Sequence, residues 1–230
     1  MDRRFERTEM LFGKEAMERL HKASVLIVGV GGVGGFVCEA LARCGVGSMT
    51  IVDHDTVDIT NINRQIIALS STVGMKKVDV MKKRIEDINP LCEVRAAAEF
   101  YTAEMSESLF DRQYDYIVDA IDTVTAKLHL IKTAKEKNIP IISALGTGNK
   151  SDPLRFEITD ISKTSVCPLA KVMRRELRKM GIEHTKVLFS REEPLKIQQE
   201  KGERLVSSNS FTPSVAGLLI GREVVLDIIK

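Results

Sequence analysis

The residues of this chain that are suited to chemistry are those that would handle a polyphosphate. Gly29, Gly31 and Gly34 satisfy the G-x-G-x-x-G spacing of a nucleotide-binding turn. In such a turn the first glycine permits a tight bend, the second a close approach of backbone to phosphate, and the third the packing of helix on strand. Gly31 and its neighbour Gly32 are therefore placed to offer backbone to a nucleotide. Asp53 follows about 20 residues later, where an acid meets a ribose hydroxyl. It also reads as an acid that ends a strand before a turn, and Asp55 is the second choice in the same loop. The run from Asp53 to Gln65 is polar and holds Asn61, Asn63, Arg64 and Gln65. A guanidinium meets phosphate oxygens with a planar donor fork, which suits Arg64 to a polyphosphate rather than to a nicotinamide. Asn61 and Gln65 read either as braces of the loop or as phosphate contacts. Asp122 lies just past an apolar run, and its spacing fits both a magnesium ligand and the cap of a following helix.

These side chains need elements to carry them. An apolar run over 25–28 reads as a buried strand entering the glycines. A helix over 36–44 follows, stopped by Gly45 and Gly47, and a strand over 49–52 ends at Asp53. Val78, Met81, Ile85 and Ile88 recur at helical spacing until Asn89-Pro90. Residues 92–98 read as a strand, Thr102 caps a short helix to 110, and 116–120 is a strand. Thr123 caps a helix to about 137 that Asn138-Ile139-Pro140 stops, and a strand over 141–144 enters Gly146-Thr147-Gly148. Alternating strands and helices predict an α/β, doubly wound parallel sheet. After Lys150 the pattern changes. Residues 155–161 alternate like a strand with one exposed face, 168–180 form an amphipathic helix closed by Gly181, and 186–190 read as a strand. Residues 191–209 are a polar loop, and 214–229 an apolar helix.

The run D-x-D-x-V-x-x-x-N-x-x-R-Q from Asp53, after G-x-G-G-V-G-G from Gly29, resembles the ubiquitin-activating-enzyme-like superfamily. The resemblance covers nearly the whole chain. It includes Gly74-Met75-Lys76-Lys77-Val78, Ile88-Asn89-Pro90, Asp119-Ala120-Ile121-Asp122 and Phe211-Thr212-Pro213-Ser214-Val215-Ala216-Gly217. The short length, the run from Asn61 to Ile66 and Thr159-Asp160-Ile161-Ser162-Lys163-Thr164 are most similar to one branch, the tRNA threonylcarbamoyladenosine dehydratases. That branch uses ATP to cyclise a modified adenosine beside the anticodon. The resemblance implies a Rossmann-like, mostly parallel sheet extended by antiparallel strands near the C-terminus. It implies a single domain over 1–230, with a nucleotide part at about 23–150 and a substrate and dimer part at about 151–230. It also implies ATP and Mg2+, tRNA as partner, a homodimer, and a sulfur-transfer protein as a candidate partner. Lys77, which by position alone reads as an exposed helix lysine beside Lys76, becomes with Arg64 a cation on the transferring phosphates. Arg7 becomes a third cation that serves the partner subunit, Asp122 becomes the metal ligand, and Asn61 gains weight as a phosphate contact. Asp119 reads as structural.

Composition sets the outer bounds. The chain has 230 residues, 43% apolar and 29% charged, with a formal charge of +2, enough for a proper core and not the profile of a strongly basic nucleic-acid binder. Nothing resembles a signal peptide or a membrane span, and the location expected is cytoplasmic. The four cysteines, Cys38, Cys44, Cys92 and Cys167, form no C-x-x-C pair. This disfavours the zinc-bearing relatives that adenylate sulfur-carrier proteins, the main alternative function. Cys167 has no basic partner by spacing and reads as non-catalytic. His54 reads as an exposed loop residue. Lys171, Arg174, Arg175, Arg178 and Lys179 make a cationic stripe on one helix that reads equally as a solvated face, and it is the resemblance that makes them, with Lys196, Lys201 and Arg204, candidates for tRNA phosphates. A nicotinamide-dependent oxidoreductase and an ATP-binding scaffold are the remaining rivals.

Overall fold

A computed structural model describes residues 2–195 and 206–230. It begins with two helices that no apolar run announces, α1 (Glu6–Phe12) and α2 (Lys14–Lys22). Seven strands follow: β1 (Ser24–Val28), β2 (Ser48–Val52), β3 (Glu93–Ala97), β4 (Tyr116–Asp119), β5 (Ile141–Ala144), β6 (Phe156–Asp160) and β7 (Lys186–Ser190). They form one sheet in the order β3-β2-β1-β4-β5-β7-β6. Every neighbouring pair is parallel except β6 and β7. The last third thus joins the same sheet, with β7 continuing the parallel set and β6 closing it antiparallel.

The pleat of β1 divides the core. Val25 and Ile27 face one side, Leu26 and Val28 the other, and all four are buried. On the first side lie α2, α3 (Gly34–Arg43), α4 (Lys77–Ile88) and α8 (Thr212–Ile228), through Leu20, Leu41, Met81 and Ile220. On the second lie α5 (Ala103–Leu109), α6 (Val124–Glu136) and α7 (Pro168–Lys179), through Leu109, Ile131 and Met173. Strands buried on both faces read as continuous apolar runs, which is why β1, β2 and β4 are plain in the sequence. The alternation expected over residues 155–161 is present, since Phe156 and Ile158 pack against the core while Glu157 between them pairs with the exposed Arg191. All five residues of β6 are nonetheless partly exposed, as befits a strand at the edge of the sheet. The polar loop expected over 191–209 is described only at its ends. Among the described residues, no helix is long and apolar enough to cross a membrane.

Candidate active site

The strand order reverses between β1 and β4, and a crevice outside the carboxyl ends of the strands is where such sheets bind ligands. The chain leaves β1 through Gly29, whose φ of +93° suits glycine, and a Cβ there would stand 2.5 Å from the Ala120 carbonyl oxygen. A Cβ on Gly34 would stand 1.8 Å from the Gly29 carbonyl oxygen, so the turn closes only without side chains. No side chain caps the start of α3 and no acid sits in its first turn. Its partial positive charge is left for an anion.

Asp53, at the end of β2, is bound into this turn. Its Oδ2 accepts from the Val30 N–H at 2.7 Å and its Oδ1 from the Asp55 N–H at 2.9 Å. The chain then makes a long excursion and returns. Val57 N–H donates to the Met75 carbonyl at 2.8 Å and Lys77 N–H to the Asp55 carbonyl at 3.0 Å. The return brings Lys77 Nζ to 2.6 Å from Asp55 Oδ2. Lys77 is only 5% exposed, so the surface-lysine reading of its position is wrong. Lys76 is the exposed one. An ammonium buried against a single carboxylate at the cleft can serve a phosphate as well.

Within the excursion, Asn61 is buried and its Oδ1 accepts from the Asp58 N–H at 3.2 Å, so one of its side-chain atoms braces the loop. Arg64 Nη1 donates to the Thr60 carbonyl at 2.9 Å and to Asn63 Oδ1 at 2.8 Å, which leaves the rest of its fork free among these contacts. Gln65 is buried, and its Oε1 has no hydrogen-bond partner among the described residues. Both line the cleft.

Asp122 is exposed in the turn after β4 and accepts from the Thr123 hydroxyl at 3.2 Å. Thr123 occupies the N-cap of α6 but makes no side-chain cap bond, so the expected cap is there in position only, and Asp122 does not cap the helix either. Beneath it Asp119 and Lys127 form a fully buried pair at 2.9 Å, with Ser143 bound to both. This is the structural role expected of Asp119. One side-chain ligand atom each of Asp53, His54 and Asp55 also lies within 4.8 Å of the other two. Their carboxylates are already taken up by Val30, Asp55 N–H, Lys77 and His54. Asp122, whose bond to Thr123 is its only one among the described residues, fits a magnesium ion better, since that ion takes one or two carboxylates plus phosphates.

The cleft measures about 1220 Å3 and is lined by Gly31, Asp53, Arg64, Lys77 and Asp122, together with Gly146, Lys150 and Cys167 from the β5 and α7 side. A pocket for one small ligand is usually on the order of 300–1,000 Å3, so there is space for a nucleotide and a second reactant. Arg7 lies exposed on α1 and is not among the lining residues. Lys150 was not anticipated. It is buried within electrostatic reach of Cys167, which corrects the expectation that this cysteine has no basic neighbour. Burial pushes the Cys92 thiol up to about 12 and raises those of Cys38 and Cys44 as well, which disfavours the thiolate at all three.

The basic stripe on α7 is partly spent. Arg174 donates to the Thr164 carbonyl at 2.9 Å, and Arg175 and Lys179 both pair with Glu176. Lys171 and Arg178 carry no ion pair among the described residues. Lys196, Lys201 and Arg204 lie outside the described residues.

Known proteins share this fold over nearly the whole chain. The model of the ThiF family matches residues 5–226. A tRNA threonylcarbamoyladenosine dehydratase of Bacillus subtilis is 51% identical over 240 residues, covering 98% of this chain and 94% of that protein. The Escherichia coli tRNA N6-threonylcarbamoyladenosine dehydratase TcdA, crystallised with AMP, superposes with a TM-score of 0.91 at 33% identity, over 98% of this chain and 94% of that one. Its complex with ATP gives 0.90 at 32% identity, over 98% and 93%. The chain belongs to the ThiF family.

Proposed function

We propose that this protein is an ATP-dependent tRNA-modifying dehydratase, which adenylates the carboxylate of threonylcarbamoyladenosine in tRNA and then closes that side chain into a ring. A carboxylate oxygen attacks the α-phosphorus of ATP and the bond to the bridging oxygen of pyrophosphate breaks. A nucleophilic atom of the same carbamoyl side chain then attacks the activated carbonyl carbon and loses its proton. AMP departs with the former carboxylate oxygen, and the nucleoside has lost the elements of water. The supporting observation is one cleft at the sheet's switch point that holds the glycine turn, Arg64 and Lys77 together, in a chain so similar over its length to a dehydratase.

In this reading Gly31 and Gly32 offer backbone to the phosphates, Asp53 meets the ribose with Asp55 beside it, and Asn61 and Gln65 complete the wall. Arg64 and Lys77 neutralise charge that grows on the phosphate oxygens. Mg2+, held by Asp122 and the phosphates, would screen the polyphosphate charge. The chain acts as one domain and as a homodimer, with Arg7 serving the partner subunit's cleft. The exposed Met10 and Leu11 on the same short helix support that pairing. The test is mass spectrometry of nucleosides from tRNA incubated with protein and ATP. Loss of one water from threonylcarbamoyladenosine is expected, and Arg64→Ala should slow it by about 10²–10³-fold. Unchanged tRNA beside adenylation of a carrier protein's C-terminus would replace this reading with the alternative.

A further inference from the structure

Lys150 is only 3% exposed, and its Nζ is buried with no hydrogen-bond partner among the described residues. A buried ammonium without a partner is costly, and a chain keeps one where a ligand supplies the missing anion. Its surroundings are built rather than accidental. The Lys150 carbonyl accepts from Asn209 Nδ2 at 3.0 Å and from the Thr212 hydroxyl at 3.2 Å. On one side Asn149, at φ +57°, takes the Ser207 N–H on its Oδ1 at 2.7 Å and the Leu195 N–H on its carbonyl at 2.9 Å. On the other, the carboxylate of Glu192 accepts from the N–H and hydroxyl of Ser151 and the N–H of Asp152. Against the burial of Lys150, its charged form is favoured from a distance by Cys167, Glu192 and Glu193, while the oxygens of Glu192 are taken by that turn. Burial pulls the lysine the other way and lowers its pKa below the usual lysine value. Lys150 shares the cleft with Arg64 and Lys77 but belongs to the chain that leaves β5, beside Cys167 at the head of α7.

We propose that Lys150 is the carboxylate anchor of the second substrate: its ammonium binds one oxygen of the carboxylate that is to be activated, leaving the other to attack the nucleotide. This rests on the function proposed above, under which that carboxylate belongs to the threonylcarbamoyl group. The same ammonium remains on the carbonyl oxygen of the adenylate and meets the oxyanion that forms when the ring closes. It donates hydrogen bonds throughout and forms no covalent bond. Arg64 and Lys77 then serve the phosphates and Lys150 the acyl group, so the two reactants are held by separate cations.

The test uses the full chain and its Lys150→Met and Lys150→Arg variants, with three readouts: affinity for magnesium–ATP by calorimetry, melting temperature, and tRNA-dependent exchange of labelled pyrophosphate into ATP. Lys150→Met should bind ATP within about twofold of the parent and melt no lower, because it removes an unpaired buried charge. Its exchange should fall by about 10²–10³-fold, and Lys150→Arg should recover part of that loss. Undiminished exchange in Lys150→Met would overturn the proposal. So would a loss of melting temperature or of ATP binding that runs parallel to the loss of exchange, since that is what a structural lysine would give. A parent protein that binds ATP but shows no exchange with threonylcarbamoyladenosine-bearing tRNA would sink the functional reading itself, and the anchor with it.

Discussion

Lys127 and Asp119 are both fully buried and hydrogen-bonded to each other beneath the turn that carries Asp122. Removing one partner of a buried pair leaves the other charge uncompensated, so Lys127→Met should lower stability by about 3–5 kcal/mol in urea unfolding. Lys127→Met with Asp119→Leu should recover much of that. Nearer the cleft, Lys77→Met should reduce turnover by about 10²–10³-fold if Lys77 stabilises the transferring phosphate. Asp55→Asn should leave Lys77 unpaired and so bind ATP more tightly than the parent in calorimetry. That Arg64 and Gln65 would line the cleft was legible because they sit next to each other in a polar loop. The Lys77–Asp55 pair was not, because it depends on a chain return across 22 positions. Lys150 was missed for the same reason. Nothing local separates a buried, cleft-facing lysine from a surface one; the distant residues 192–195 and 207–212 that bind 149–152 are not adjacent to it in sequence.

At the scale of elements, the close approach of turn, strand and helix is the vulnerable feature. Gly34→Ala would put a methyl group on the Gly29 carbonyl, so the turn must open. ATP affinity should fall at least tenfold, and the melting temperature should drop with it. Helix α8 makes a similar approach to α3, where a Cβ on Gly217 would stand 2.4 Å from the Val33 carbonyl. That contact ties the last helix to the start of the helix that faces the nucleotide. Strands β1, β2 and β4 were readable because apolar runs with turn residues at both ends leave few alternatives. Helices α1 and α2 were not, since their charged residues outnumber the few apolar ones and only Ala16, Met17 and Leu20 are buried on α2. On α2 those three residues share one face, so an amphipathic pattern is present in the sequence but only about two turns long. The alternation over 155–161 gave both the strand and its inner face, Phe156 and Ile158, but not how shallow burial is at a sheet edge.

For the molecule as a whole, α8 is fastened to the sheet by Asp227, which accepts from Lys186 of β7 and from the Tyr116 hydroxyl of β4. Burial opposes its ionisation, yet Lys186, Lys230 and Tyr116 hold its carboxyl at about 2, below the ordinary 3.8. A carboxyl whose folded value is depressed contributes fully above its unfolded value and loses that contribution as pH falls through the folded one. Stability should therefore decline between pH 3.8 and about 2, and Asp227→Asn should be less stable at neutral pH and decline less over that interval. Denaturant titrations across the acid range decide it. The doubly wound order was legible from the alternation of elements, whereas the tie between the C-terminal helix and the middle of the sheet was not.

The outer margin of β6 has a consequence for handling the protein. Among the described residues, no strand pairs with that margin, and an open row of peptide groups invites another chain to add to it. Here the margin carries Glu157 and Asp160, with Arg191 bound to Glu157 and His184 beside Asp160. Fibril-like growth along it would have to bury charge at every step, so concentrated solutions should stay clear until Glu157 and Asp160 are neutralised.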